Sequence, residues 1–265
     1  MRENRVRSIW ENGGVALNGW LHVPSPFSAE VMAHAGYDSL TVDLQHGPPE
    51  LGSVVPMLQA ISTTDVVPFA RANWNDPGTI MKLLDAGCYG VICPMIEGRA
   101  DAEAFVAACR YPPEGYRSYG PFRANLYGGP DYAAHANETV VTMAMIETRE
   151  ALEDLDGILA VPGLDAVFVG PSDLGQALGY GPGMDREEPE VVEAIARVVG
   201  SAREKGLAAG IFTGSTGYAA RMIESGFNFV NVSTDASLLA GAASDVVAAL
   251  KDRRHPSRPA GPSGY

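Results

Sequence analysis

The chain has 265 residues, 46% of them hydrophobic and 19% charged, with a formal net charge of −13. This composition supplies a large core, argues against disorder, and carries the wrong sign for a nucleic-acid or anionic-membrane surface. No Lys/Arg cluster precedes the last fifteen residues, no apolar run approaches the ~20 residues of a membrane span, and the charged start MRENRVR leads into no apolar signal stretch.

Short apolar runs of strand type fall at 15–21, 39–43, 66–71, 90–94, 140–147, 166–170, 207–212 and 228–233. Most are continuous apolar stretches, as parallel strands buried on both faces require. Helix-type segments lie between them. Asn75-Asp76-Pro77 offers an N-cap and a first-turn proline for a helix that Gly87 closes. The segment from Pro189 stops at Gly206, and the segment 216–225 stops at Gly226. Successive strand ends are one βα unit apart except between 94 and 147, so an insertion containing RYPPEGYRSYGPFRANLYGG sits there. Eight strands alternating with helices predict an α/β fold of the (β/α)8 TIM-barrel type, a single domain over residues 1–250. A doubly wound open sheet is the alternative, but no G-x-G-x-x-G follows the first strand. The polar, proline-rich residues 251–265 read as a flexible C-terminal tail. Cys88, Cys93 and Cys109 form no C-x-x-C pair, which suits a reducing cytoplasm and argues against a disulfide or zinc framework.

Barrel chemistry sits at the C-terminal ends of the strands. Here those ends carry Trp20, Asp43 with His46, Arg71, Glu147, and the turn Gly170-Pro171-Ser172-Asp173. Glu147 and Asp173 each admit a reading as a first-turn acid of a helix. Taken together on adjacent strands, they repel unless a cation lies between them, and an all-oxygen site suits a hard divalent ion. Arg71 needs an anion, either a rim carboxylate or a substrate oxygen. His46, three residues past Asp43, is a candidate base held by that carboxylate, whereas His22, His34, His135 and His255 receive no role. A Schiff-base mechanism needs a lysine on an inner strand. Lys82 and Lys205 fall in helices and Lys251 at the tail, so a metal-assisted enolate is favoured over an iminium.

The stretches TVDLQHGPPE, PFARANWNDPGTIMKLLDAGCYGVICPMI, ACRYPPEGYRS, MIETREAL and AVFVGPSDLGQALG resemble, in order and spacing, the HpcH/HpaI family of metal-dependent class II pyruvate aldolases. The resemblance spans about residues 14–245. It implies the same barrel, assembled as a homo-oligomer, a hexamer built as a trimer of dimers. It also implies a divalent metal ion (Mg2+, Mn2+ or Co2+) on Glu147 and Asp173, and substrate contacts from Arg71, Ser172, Asp173 and Trp20. His46 becomes the catalytic histidine, with Asp43 as its dyad partner. The expected reaction is reversible aldol cleavage of a 4-hydroxy-2-oxo acid to pyruvate or hydroxypyruvate and an aldehyde, through a metal-stabilised enolate. Alternatives are oxaloacetate decarboxylation, a citryl/malyl-CoA-type lyase, and a phosphate-binding barrel using the loops FTGSTG and NVSTD. Two departures stand out: Met145 where many relatives carry Gln, and Gln45 where relatives often carry an acid.

Overall fold

A computed structural model describes residues 1–251. Its eight strands are β1 (Ala16–Leu21), β2 (Ser39–Asp43), β3 (Val67–Arg71), β4 (Gly90–Cys93), β5 (Val141–Ile146), β6 (Ala166–Val169), β7 (Ala208–Thr213) and β8 (Phe229–Val232). All pair in parallel, in sequence order, and β8 returns to β1 through Ala16↔Phe229. That closing ladder makes a TIM barrel and removes the open-sheet alternative.

Helices separate the strands. In chain order they are α1 (Arg5–Glu11), α2 (Pro26–Ala33), α3 (Leu51–Ile61), α4 (Pro77–Asp85), α5 (Arg99–Cys109), α6 (Phe122–Gly128), α7 (Tyr132–Thr139), α8 (Arg149–Glu153) and α9 (Leu155–Leu159). The remainder are α10 (Pro171–Ala177), α11 (Pro189–Glu204), α12 (Thr216–Glu224) and α13 (Asp235–Lys251). The punctuation behaves as its chemistry demands. Asp76 caps α4 by accepting from the Thr79 N–H at 2.7 Å, and Thr148 caps α8 by accepting from the Ala151 N–H at 3.1 Å.

Because side chains alternate along a strand, each strand feeds two cores. Leu40, Val42, Val91 and Val167 face the helical layer. Trp20, Phe69, Met143, Met145, Phe168 and Phe229 fill the barrel, with Phe69 and Phe229 packed 5.2 Å apart. Two residues beyond an inward side chain lies the next inward position. So Thr41 is followed by Asp43, Phe69 by Arg71, and Met145 by Glu147, stacking polar groups on the apolar plug.

Three helices stand where the sequence reading has none. Helix α1 precedes β1 and buries Val6, while Asn4 Nδ2 donates to the carbonyls of Tyr89 and Thr139. Helices α6 and α7 fold the insertion. Arg117, buried there, donates to Asp85 at 2.8 Å and to the Tyr132 hydroxyl at 3.1 Å. Of the insertion's other tyrosines, Tyr127 packs edge-on to Tyr89. The tail expected from residue 251 falls outside the described residues except for Lys251, which ends α13.

Candidate active site

The inward ends of the strands open into a cavity of about 450 Å³ whose walls include His22, His46, Arg71, Met145, Phe168, Ser172, Asp173, Met184 and Phe212. Among the described residues, no three His, Cys, Asp or Glu side chains gather as a metal cluster. The site is organised instead around two carboxylates.

Asp43, fully buried at the end of β2, is surrounded by donors. Its Oδ1 accepts from Arg71 Nε at 2.9 Å and from the backbone N–H groups of Gln45 (3.0 Å) and His46 (3.4 Å). Its Oδ2 accepts from Arg71 Nη2 at 2.6 Å, Trp20 Nε1 at 3.1 Å and His22 Nε2 at 2.7 Å. Burial alone would raise its pKa, but the hydrogen bonds from His22, Arg71 and Trp20 and the Arg71 charge hold it far below the usual carboxylate range.

This geometry bears on three expectations. The imidazole seated on Asp43 is that of His22, which the sequence reading leaves without a role. His46 meets Asp43 through its backbone N–H, so the expected His46–Asp43 side-chain dyad is replaced by a His22–Asp43 pair. Arg71 does form the salt bridge considered for it, yet among the described residues its Nη1 has no hydrogen-bond partner, and the residue lines the cavity. Trp20, expected to touch substrate, is buried: its ring lies 5.0 Å from the guanidinium carbon and 5.5 Å from Phe168. It supports Asp43 and Arg71 from beneath.

Glu147 is the opposite case. It is 1% exposed, with Oε1 accepting the Met95 N–H at 2.8 Å and Oε2 buried with no partner among the described residues. Burial raises its pKa to about 7 against the help of the Met95 N–H, and the Asp173 charge pushes further the same way. A Cβ on Gly170 would stand 2.5 Å from Oε2, so only glycine lets the β6–α10 turn approach this carboxylate. An orphaned carboxylate oxygen beside a second carboxylate, at a cavity, fits a hard divalent cation. Arg186, buried, fixes the Ser172–Asp173 turn by donating to the Pro171 carbonyl at 3.0 Å and the Ser172 carbonyl at 3.3 Å.

In the loop after β7 two donors are engaged by the chain itself, and the loop after β8 contributes an acceptor, Asp235. Asp185 accepts from the Gly214 N–H (2.7 Å) and Ser215 Oγ (2.6 Å), and Asp235 from the His22 N–H (2.7 Å) and Ser28 Oγ (2.9 Å). The three lysines, Lys82, Lys205 and Lys251, are exposed on helices or at their ends.

Residues 18–242 match the model of the HpcH/HpaI aldolase/citrate lyase family. The chain is 49% identical over 245 residues to a hydroxypyruvate/pyruvate aldolase of Rhizorhabdus wittichii, covering 92% of this chain and 98% of that one. It is 39% identical over 249 residues to a 4-hydroxy-2-oxo-heptane-1,7-dioate aldolase of Escherichia coli, covering 93% and 94%. Among solved structures, it superposes on an HpcH/HpaI aldolase/citrate lyase family protein from Burkholderia cenocepacia with a TM-score of 0.88 at 32% identity, covering 94% of this chain and 99% of the other.

Proposed function

This chain belongs to the HpcH/HpaI aldolase/citrate lyase family, and from that premise we propose that it is a carbon–carbon lyase that reversibly cleaves a 4-hydroxy-2-oxo acid to pyruvate or hydroxypyruvate and an aldehyde. The observation that carries this reading is the unpartnered Glu147 Oε2 beside Asp173, on the same cavity as the Arg71 fork. Glu147 and Asp173 would hold Mg2+, Mn2+ or Co2+, all ions that accept carboxylate oxygens. Such an ion, when bound, supplies Lewis-acid stabilisation of negative charge on the oxygens of a 2-oxo acid.

The chain's own groups do the rest. Arg71, pinned by Asp43 on two nitrogens, has Nη1 left to donate to a substrate oxygen whose charge grows as the carbon–carbon bond breaks. The first-turn N–H groups of Ser172 and Asp173 face the same carboxylate-binding role. Phe168, Phe212 and Met184 give the cavity apolar walls. The proton of the C4 hydroxyl goes to an imidazole of this cavity, where His46 and His22 both stand.

A homo-oligomer, a hexamer arranged as a trimer of dimers, fits the surface. Within α13 every residue from Ser237 to Lys251 is exposed, including Leu239, Val246, Val247 and Leu250. An apolar helix so uncovered is a surface that a second copy of the chain would cover. No helix of the described residues is long and apolar enough to cross a membrane. The three buried free thiols suit the cytoplasm.

The test is pyruvate release from a panel of 4-hydroxy-2-oxo acids, run in the three ions and in a chelator, alongside Asp173→Ala. Activity confined to the ion-loaded wild type supports the proposal. Full activity of Asp173→Ala after chelation removes the metal-site assignment.

A further inference from the structure

We propose that Arg186 is a positioning residue for the ion site: through the turn it grips, it sets where the Asp173 carboxylate stands and so fixes how tightly this chain holds a divalent cation. The inference rests on the metal-site reading above and concerns no proton or bond of the cleavage itself.

A carboxylate ligand is usually held in place by a hydrogen bond of its own. Asp173 lines the cavity, yet among the described residues no hydrogen bond holds its side chain. Its place is therefore set by its backbone, in the first turn of α10. That turn is clamped from outside. Arg186 Nε donates to the Pro171 carbonyl at 3.0 Å and Nη2 to the Ser172 carbonyl at 3.3 Å, the two residues directly before Asp173.

The clamp is itself rigid. Arg186 is 4% exposed, its Nη2 also donates to the Gly181 carbonyl at 2.7 Å, and its Nη1 donates to Glu188 at 3.1 Å. A planar guanidinium serves these separate acceptors at once, which an ammonium on a flexible stem cannot do. Helix α10 makes room for it. A Cβ on Gly175 would collide with Nη2, and one on Gly183 would stand 3.0 Å from Nη1. Glycine is a poor helix former, and at position 175, inside α10, it is what admits the guanidinium. The neighbouring Asp185 accepts from the Gly214 N–H at 2.7 Å, so the connection from α10 to α11 ties the β6 rim of the barrel to the β7 rim.

Charge alone argues against a guanidinium here. A fixed cation near a cation site weakens binding by Coulomb repulsion, so what Arg186 supplies is geometry. This sets the sign of the test. Loss of the positive charge by itself would tighten the ion, whereas loss of the clamp loosens it.

The experiment titrates Mn2+ into substrate-free, metal-free wild type, Arg186→Met, Arg186→Lys and Gly175→Ala, with free Mn2+ read by electron paramagnetic resonance and folding checked by circular dichroism. Arg186→Met removes every donor, and Gly175→Ala displaces the guanidinium while leaving Arg186 in the chain. Both should raise the Mn2+ dissociation constant ~10–100-fold, the usual effect of losing a group that orients a metal ligand. Arg186→Lys should fall between them and wild type. Pyruvate release by each variant should drop at low Mn2+ and recover towards the wild-type rate as Mn2+ saturates. Any one folded variant decides: Arg186→Met or Gly175→Ala binding Mn2+ as tightly as wild type, or tighter, overturns the assignment while the metal site stands. A wild type that binds no Mn2+ overturns the metal-site reading, and this inference with it.

Discussion

Asp43 and Glu147 sit at the mouth of one barrel, both buried, and are treated by the chain in opposite ways. Asp43 accepts six hydrogen bonds, two of them from a guanidinium, and stays ionised without help from outside. Glu147 accepts a single backbone N–H, keeps one oxygen bare, and resists ionisation up to about pH 7. The first carboxylate is a finished part of the protein. The second keeps one oxygen free, as the proposed cation site requires. Burial is equal in the two places, so the donor count, not exposure, separates a structural anion from a ligand-binding one.

The contrast breaks most severely at Asp43. Asp43→Ala leaves the Arg71 guanidinium buried and uncompensated, with an expected cost of ~3–5 kcal/mol in unfolding free energy. Urea denaturation reads this directly, and a variant as stable as wild type would mean that Arg71 finds another anion.

Arg71→Lys probes the fork that joins the anchor to the cavity. An ammonium cannot engage both Asp43 oxygens and still present a second nitrogen to the substrate. The expected loss is ~2–4 kcal/mol in kcat/KM, the scale of one oxyanion donor. A near-normal kcat/KM would return Arg71 to a purely structural salt bridge.

The third effect concerns pH. Glu147 in the fold holds its proton to about pH 7, against an ordinary value of 4.5. The folded state therefore binds the extra proton, and metal-free stability falls as pH rises through that window. The loss, on the order of 3 kcal/mol, is complete above pH 7. Asp43 has the opposite sign: its contribution is present above its ordinary 3.8 and fades only in stronger acid. Glu147→Gln should thus melt above wild type at pH 8 without metal and match it at pH 5. Equal melting points at pH 8 would show that Oε2 is hydrated.

Much of this is legible in the sequence. Eight apolar runs correspond to eight strands with ends shifted by at most one residue, because parallel strands buried on both faces leave an unambiguous pattern. Asp43, Arg71, Glu147 and Asp173 were readable because barrel chemistry collects at strand ends. The same rule could have found His22, which immediately follows β1. It receives no role from the sequence because His46 lies closer to Asp43 along the chain. Nearness in sequence misleads here: the parallel neighbour strand brings His22 alongside Asp43 from 21 positions away. Helices α6 and α7 and the bare Glu147 oxygen left no local signal. They depend on contacts such as Arg117 with Tyr132 and on the count of donors around a buried atom.

The most direct measurement is treatment of the ion-free and ion-loaded enzyme with pyruvate and borohydride, followed by mass spectrometry and an activity assay. A carboxylate pair awaiting a cation, with every lysine exposed on the helical ring, predicts that chelator abolishes turnover, that a divalent ion restores it, and that no lysine carries a reduced pyruvyl adduct. Activity indifferent to chelator, together with an adduct on Lys82, Lys205 or Lys251, would contradict it.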